Sequence, residues 1–126
     1  MLIAEDDPGT RKVCRSSLSR DDYLIIEVED GQAAIANAIY HAPDVIIMDV
    51  VMPVMGGLES VRTLKADPRT SDIPIIIVSA KDAPTDVLAG LEAGADEYLT
   101  KPLQSTAMAT RVRSMVRWSR ERRDLL

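Results

Sequence analysis

Short apolar runs rich in isoleucine and valine recur along the chain, and helix-like segments separate them. Four runs are nearly pure and a fifth is less so: Met1–Ala4, Val45–Met48, Ile73–Val78 and Ala95–Leu99, with Tyr23–Val28 as the fifth. Continuous apolar strands with little alternation are typical of a parallel sheet that is covered on both faces. The less pure run is predicted to be an edge strand.

Five segments that follow these runs have helical character. They cover Pro8 to about Ser19, Gln32–Tyr40, Leu58–Ala66, Pro84–Ala93 and Gln104 onward. Asp7 is a predicted N-cap with proline at the first helical position, and Gly94 is a predicted C-cap. Alternation of strand and helix predicts an α/β fold, a three-layer flavodoxin-like (βα)5 unit. We expect a five-stranded parallel sheet with strand order 2-1-3-4-5.

The composition fits one domain of 126 residues with an aliphatic core, because the chain has no phenylalanine and is 46% hydrophobic. No apolar stretch approaches the ~18 residues that a membrane span needs. The amino terminus has no basic segment followed by a long apolar one, and the lone Cys14 cannot form an internal disulfide. These features predict a cytoplasmic protein that has no membrane partner.

Acidic residues, a hydroxyl and an ammonium stand where the predicted strands end. Glu5, Asp6 and Asp7 follow the first strand, Asp49 the third, Ser79 the fourth and Lys101 the fifth. The carboxyl ends of parallel strands meet at one edge of a sheet, where ligands bind. Converging carboxylates repel one another unless a cation lies among them, and oxygen ligands suit Mg²⁺. The set is suited to phosphorylation of Asp49 as the nucleophile, with Lys101 and Ser79 holding the transferred oxygens.

The same residues lie in motifs that resemble the receiver domains of bacterial two-component response regulators. The resemblance covers roughly residues 1–117 and is carried by Leu2-Ile3-Ala4-Glu5-Asp6-Asp7-Pro8, by Pro43-Asp44-Val45-Ile46-Ile47-Met48-Asp49-Val50-Val51-Met52-Pro53, by Gly56-Gly57, by Pro74-Ile75-Ile76-Ile77-Val78-Ser79-Ala80, and by Ala93-Gly94-Ala95-Asp96-Glu97-Tyr98-Leu99-Thr100-Lys101-Pro102. Each motif alone is weakly specific, whereas all of them in this order are strongly specific.

The resemblance implies a role for each site residue. Asp49 would be the phosphoacceptor, and the metal ligands would be Glu5 (mainly through a water), Asp6, Asp49 and the backbone carbonyl of Val51. The metal would be Mg²⁺, with Mn²⁺ as an alternative. Lys101 would contact the phosphoryl group next to a cis Lys101–Pro102 bond, and Ser79 and Tyr98 would form the switch pair.

The resemblance also implies a phosphorylation-dependent signalling switch and not a turnover enzyme. The donor would be a histidine kinase or a histidine phosphotransfer protein. Phosphorylation would change the face formed by helix 4, strand 5 and helix 5, which would control an output domain or a partner. A homodimer through that face or through the C-terminal helix, and an output domain beyond the chain, are both compatible with the sequence.

The carboxyl-terminal segment differs in charge from the rest. Residues 1–100 hold 18 acidic and 8 basic residues, whereas residues 101–126 hold 7 basic and 2 acidic ones. We expect a receiver domain over 1–117 and an extension of helix 5 over 118–126, which is either a solvated helix end or a helical linker. Direct nucleic-acid binding by this segment is not expected, because no helix-turn-helix follows and the body is acidic.

Two other classes of protein fit the sequence less well. A phosphohydrolase of the haloacid-dehalogenase type typically has a second Asp two residues after its nucleophile, where this chain has Val51. A flavodoxin-like cofactor binder needs a hydroxyl- and glycine-rich loop after the first strand. Here Glu5, Asp6 and Asp7 would repel a phosphate in the absence of a metal.

Overall fold

In a computed structural model, which describes residues 1–19 and 21–124, strands and helices alternate along the chain as predicted. The strands are β1 (Leu2–Ala4), β2 (Ile26–Val28), β3 (Ile46–Met48), β4 (Ile75–Ser79) and β5 (Glu97–Thr100). The helices are α1 (Pro8–Ser17), α2 (Gly31–His41), α3 (Gly57–Ala66), α4 (Pro84–Ala93) and α5 (Ser105–Asp124).

The five strands form one parallel sheet in the order β2-β1-β3-β4-β5, which confirms the predicted topology. Successive residues of a strand point to opposite faces of a sheet. One apolar cluster therefore holds Leu2, Ala4 and Ile46 below α2, α3 and α4, while the other holds Ile3 and Ile47 below α1 and α5. Because both faces are covered, the strands show no polar alternation, which is the pattern that the sequence displays.

The predicted caps at two helix ends are also present. Asp7 accepts a hydrogen bond from the Thr10 amide at 2.9 Å and caps α1. Gly94 ends α4 with a φ of 117°, in the left-handed region that glycine adopts without steric cost.

Helix α5 runs past residue 117 without a break, and its last turns contact the body of the domain. The Ser119 hydroxyl donates to the Asp44 carbonyl at 2.7 Å, and Arg122 pairs with Asp72 at 2.7 Å. The division into 1–117 and 118–126 therefore remains a prediction, and residues 125 and 126 of that extension lie outside the described part of the chain. Within the described part, no helix has the length and apolar character that crossing a membrane requires.

Candidate functional site

Three carboxylates meet at the carboxyl ends of β1 and β3, which are neighbours in the sheet. One carboxylate oxygen from each of Glu5, Asp6 and Asp49 lies within 4.8 Å of the others. Glu5 and Asp49 are buried, whereas Asp6 is exposed and keeps the group open to solvent. A set of oxygen-only donors with one open side fits a hard divalent cation such as Mg²⁺, which keeps several of its waters.

Lys101 brings a positive charge to the two buried acids from the end of β5. Its Nζ lies 2.8 Å from Glu5 Oε1 and 3.0 Å from Asp49 Oδ2. The peptide bond between Lys101 and Pro102 is cis, as the resemblance implies. Burial alone would lower the pKa of Lys101, but hydrogen bonds to Glu5 and Asp49 raise it above its usual value. The lysine therefore stays charged at neutral pH.

One ammonium does not neutralise two carboxylates, and the remaining repulsion falls on Glu5. Burial and the proximity of Asp49 raise the pKa of Glu5 to about 7, although Lys101 acts in the opposite direction. A divalent cation would supply the missing positive charge. The electrostatics of the site therefore favour a metal as much as the geometry of its donor atoms does.

Ser79 and Tyr98 are connected through the backbone of Lys81. Ser79 is buried at the end of β4, and its Oγ accepts a hydrogen bond from the Lys81 amide at 3.1 Å. The Tyr98 hydroxyl donates to the Lys81 carbonyl at 2.6 Å. The two residues of the predicted switch pair are thus both hydrogen-bonded to the backbone of Lys81 in the β4–α4 loop, Ser79 to its amide and Tyr98 to its carbonyl.

The loop after β3 is held close to Asp49 by backbone contacts. The Val51 amide donates to Asp49 Oδ1 at 3.3 Å, and the Gly57 amide donates to the Val50 carbonyl at 2.9 Å. A Cβ at Gly57 would lie 2.1 Å from the Asp49 carbonyl oxygen, so only glycine allows α3 to begin here. Gly57 appears in the sequence motifs, but its contact with the backbone of Asp49 becomes visible only in three dimensions.

Arg11 is a further neighbour of the site, and the sequence motifs do not predict its role. Its Nη1 donates to the Glu5 carbonyl at 2.8 Å, and its guanidinium lies 3.5 Å from carboxylate oxygens of both Glu27 and Glu29. These contacts fix the backbone from which Glu5 and Asp6 project. A basic residue one turn into the helix that follows an acidic triplet is the only signal in the sequence, and it is a weak one.

The structure brings five of the predicted site residues to one edge of the sheet, namely Glu5, Asp6, Asp49, Ser79 and Lys101. Asp7 is exposed and serves as a helix cap. Val51 is 58% exposed and contacts Asp49 through its amide, and Tyr98 contacts the β4–α4 loop. Their metal-binding, phosphoryl-contacting and switch roles remain predictions.

Comparison with known proteins assigns the class to which this fold and site belong. The family model of the response regulator receiver domain matches residues 1–113. The chain therefore belongs to the receiver domain family of response regulators.

Curated relatives and a solved structure agree with this assignment. The chain is 36% identical over 118 residues to the response regulator PleD of Caulobacter vibrioides, covering 94% of this chain and 26% of PleD. It is 36% identical over 117 residues to the response regulator MprA of Mycolicibacterium vanbaalenii, covering 93% of this chain and 50% of MprA. The chain thus spans between a quarter and a half of the length of these relatives.

Among solved structures, the receiver domain of the sensor histidine kinase PA1611 of Pseudomonas aeruginosa superposes with a TM-score of 0.84 at 29% identity. The match covers 91% of this chain and 94% of that domain, which holds a magnesium ion in its active site cleft.

Proposed function

We propose that this receiver domain is a phosphorylation-dependent signalling switch in which Asp49 accepts a phosphoryl group from a histidine kinase or a histidine phosphotransfer protein. The observation that carries the proposal is the set of three carboxylates facing one lysine at the carboxyl edge of the sheet. A relative with a magnesium ion in its cleft supports Mg²⁺ as the metal, and Mn²⁺ has the same preference for oxygen ligands.

The proposed step is attack by one Asp49 carboxylate oxygen on the phosphorus of the donor. A phosphorus–oxygen bond to Asp49 forms while the bond from phosphorus to the donor nitrogen breaks, and the donor imidazole leaves. Glu5, Asp6, Asp49 and the Val51 carbonyl would hold the metal, which would neutralise negative charge on the transferred oxygens. The domain would assist only its own phosphorylation and dephosphorylation, without turning over a separate substrate.

Two residues would contact the transferred phosphoryl group directly. Lys101, already paired with Asp49, would exchange part of that ion pair for a phosphoryl oxygen. Ser79 would donate a hydrogen bond to another oxygen. Movement of Ser79 would change its contact with the Lys81 amide, and the Lys81 carbonyl would pass this change to the Tyr98 hydroxyl. A change in the face formed by α4, β5 and α5 would follow, and this face would control an output domain or a partner.

Features of that face suit a regulated contact. Leu88 and Leu91 of α4 are 55% and 44% exposed, and Arg111 of α5 pairs with Glu97 of β5 at 3.4 Å. A homodimer or an output domain beyond the chain would both use such a mixed surface. The cytoplasmic location and the division of the chain at residue 117 belong to the same proposal.

Intact mass spectrometry after incubation with Mg²⁺ and acetyl phosphate tests the proposal. We expect a single phosphoryl adduct on the wild type, none on Asp49→Ala, and an unchanged adduct on Asp7→Asn, which alters an exposed cap at the same edge. An equal adduct on Asp49→Ala, or none on the wild type, would contradict the proposal. Trp118 lines the same cavity as Pro43 and Asp44, which precede β3, whereas Asp49 follows β3 at the other end of the strand. Tryptophan fluorescence is therefore a less direct measurement.

A further inference from the structure

Gly90 occupies a buried position inside α4, where a glycine has no evident local purpose. Glycine weakens a helix interior relative to alanine, because it loses more backbone freedom on folding. Among the described residues the only glycine with positive φ is Gly94, so the backbone conformation at position 90 does not require glycine. The reason for a glycine at this position must lie in what packs against it.

The ring of Tyr98 fills the space that a side chain at position 90 would need. A Cβ there would lie 2.7 Å from Tyr98 Cδ2, 2.9 Å from Tyr98 Cε2 and 3.0 Å from Ile77 Cδ1. All three distances are shorter than an ordinary carbon–carbon contact. Tyr98 is partly buried in this place and belongs to the apolar cluster below α4.

The position of the ring is connected to the site through hydrogen bonds. With the ring against Gly90, the Tyr98 hydroxyl reaches the Lys81 carbonyl at 2.6 Å. The amide of Lys81 in turn donates to Ser79 Oγ at 3.1 Å. A displaced ring would lose the first of these hydrogen bonds and leave the β4–α4 loop free to move.

We propose that Gly90 is a positioning residue for Tyr98: its missing side chain admits the ring against α4, and any larger residue would turn the ring outward. The Ile77 δ-methyl, at 3.0 Å, has to give by only a few tenths of an ångström, whereas the two ring carbons of Tyr98 lie closer and the ring can rotate about its Cα–Cβ bond. The inference rests on the proposed function where it links the inward ring to the phosphorylated form. Its packing component is independent of that function.

The packing component is tested by NMR and by thermal unfolding of the full chain. In the wild type we expect nuclear Overhauser effects between the Tyr98 ring protons and both Gly90 Hα and the Ile77 δ-methyl, and in Gly90→Ala the effect to Ile77 is lost. We expect Gly90→Ala to lower Tm in the wild type and in Tyr98→Phe, which keeps the ring. In Tyr98→Ala we expect it to raise Tm, because the two closest contacts of the new Cβ are gone and the helix preference for alanine outweighs the smaller adjustment of the Ile77 methyl.

The functional component is tested by titration with beryllofluoride and Mg²⁺, a mimic of the phosphoryl group. We expect Gly90→Ala to weaken beryllofluoride binding several-fold when residue 98 is tyrosine and to have no effect in the Tyr98→Ala background. A persisting contact between Tyr98 and Ile77 in Gly90→Ala, or one common change of Tm in all three backgrounds, would overturn the proposal. If the wild type binds no beryllofluoride, the proposed function fails, while the NMR and Tm results still decide the role of Gly90.

Discussion

Glu5 and Asp49 are two acidic residues buried side by side, with a single ammonium between them. Both side chains are less than a tenth exposed, and Lys101 contacts each of them within 3.0 Å. Because the folded-state pKa of Glu5, about 7, lies above its ordinary value of 4.5, its contribution to stability is complete below pH 4.5 and is lost as the pH rises toward 7. The site is therefore suited to binding a cation, and without a cation the two buried carboxylates lower the stability of the folded domain.

Asp49→Asn should stabilise the metal-free protein at pH 7.5. The change removes one of two like charges, and Lys101 keeps its partner at Glu5, so we expect a gain of about 1–2 kcal/mol in the free energy of unfolding. The same variant should lose most of the stabilisation that Mg²⁺ gives the wild type. Urea titrations with and without Mg²⁺ measure both effects.

Asp7→Asn is the matched control for this prediction. It removes a negative charge at the same edge of the sheet, but asparagine caps a helix as well as aspartate does, and position 7 is exposed. Its stability and its response to Mg²⁺ should stay close to those of the wild type. Equal responses of the two variants would mean that the buried pair has no special role.

Cys14 is the other titratable residue with a large shift, because burial raises the pKa of its thiol to about 11. The folded-state pKa exceeds the unfolded one, near 9.0, so the contribution of the thiol is complete below pH 9 and is lost as the pH rises toward 11. The loss should reach roughly 2–3 kcal/mol. It is measured as the difference in pH dependence between wild type and Cys14→Ala, and parallel curves would contradict it.

At the scale of elements, the sequence predicts the order of strands and helices better than their ends. The run Tyr23–Val28 predicts a long strand, yet β2 has only Ile26–Val28, and Leu24 is 84% exposed. Apolar character does not reveal which backbone groups find partners across a sheet. The apolar run that predicts the fifth strand begins at Ala95, but β5 begins two residues later, at Glu97. The amide of Ala95 donates to the Gly90 carbonyl at 3.2 Å, so this residue belongs to the end of α4 and not to the sheet.

The site shows the same division between what sequence predicts and what it does not. Glu5, Asp49 and Lys101 could be predicted because topology alone brings strand ends together. Gly57 and Arg11 could not be assigned a role, since each acts through contact with a backbone carbonyl of another element. Such contacts depend on how closely two elements approach, which no local pattern encodes.

The start of α3 provides a prediction at this scale. Gly57→Ala should destabilise the domain by about 1–3 kcal/mol or more, because its Cβ would meet the Asp49 carbonyl at 2.1 Å and backbone atoms cannot rotate away. The matched control is the preceding residue, Gly56→Ala, whose Cβ would lie 3.5 Å from the nearest atom. Chemical denaturation should separate the two variants, and similar free energies would show that α3 shifts without cost.

At the scale of the whole molecule, the acidic site and the basic end of the chain lie at opposite edges of the sheet. The site is at the carboxyl ends of β1 and β3, whereas the last turns of α5 contact Asp44, which precedes β3. Arg120 lies 3.5 Å from Asp44, and Arg123 also pairs with it. Part of the positive charge at the end of α5 is thus paired with acidic residues of the same domain.

Asp44→Asn should loosen the end of α5 while leaving the sheet intact. Two arginines lose their partner, but the Ser119 hydroxyl keeps its bond to the backbone carbonyl at position 44, so we expect less than about 1 kcal/mol of global destabilisation. Amide hydrogen exchange over residues 117–123 should become faster, and wild type at high salt should approach the variant because ions screen exposed pairs. Asp72→Asn removes the single pair with Arg122 and should have a smaller effect. Unchanged exchange in Asp44→Asn would mean that apolar contacts of α5 alone hold its last turns, and that these ion pairs do not restrain the helix through which an output domain would be connected.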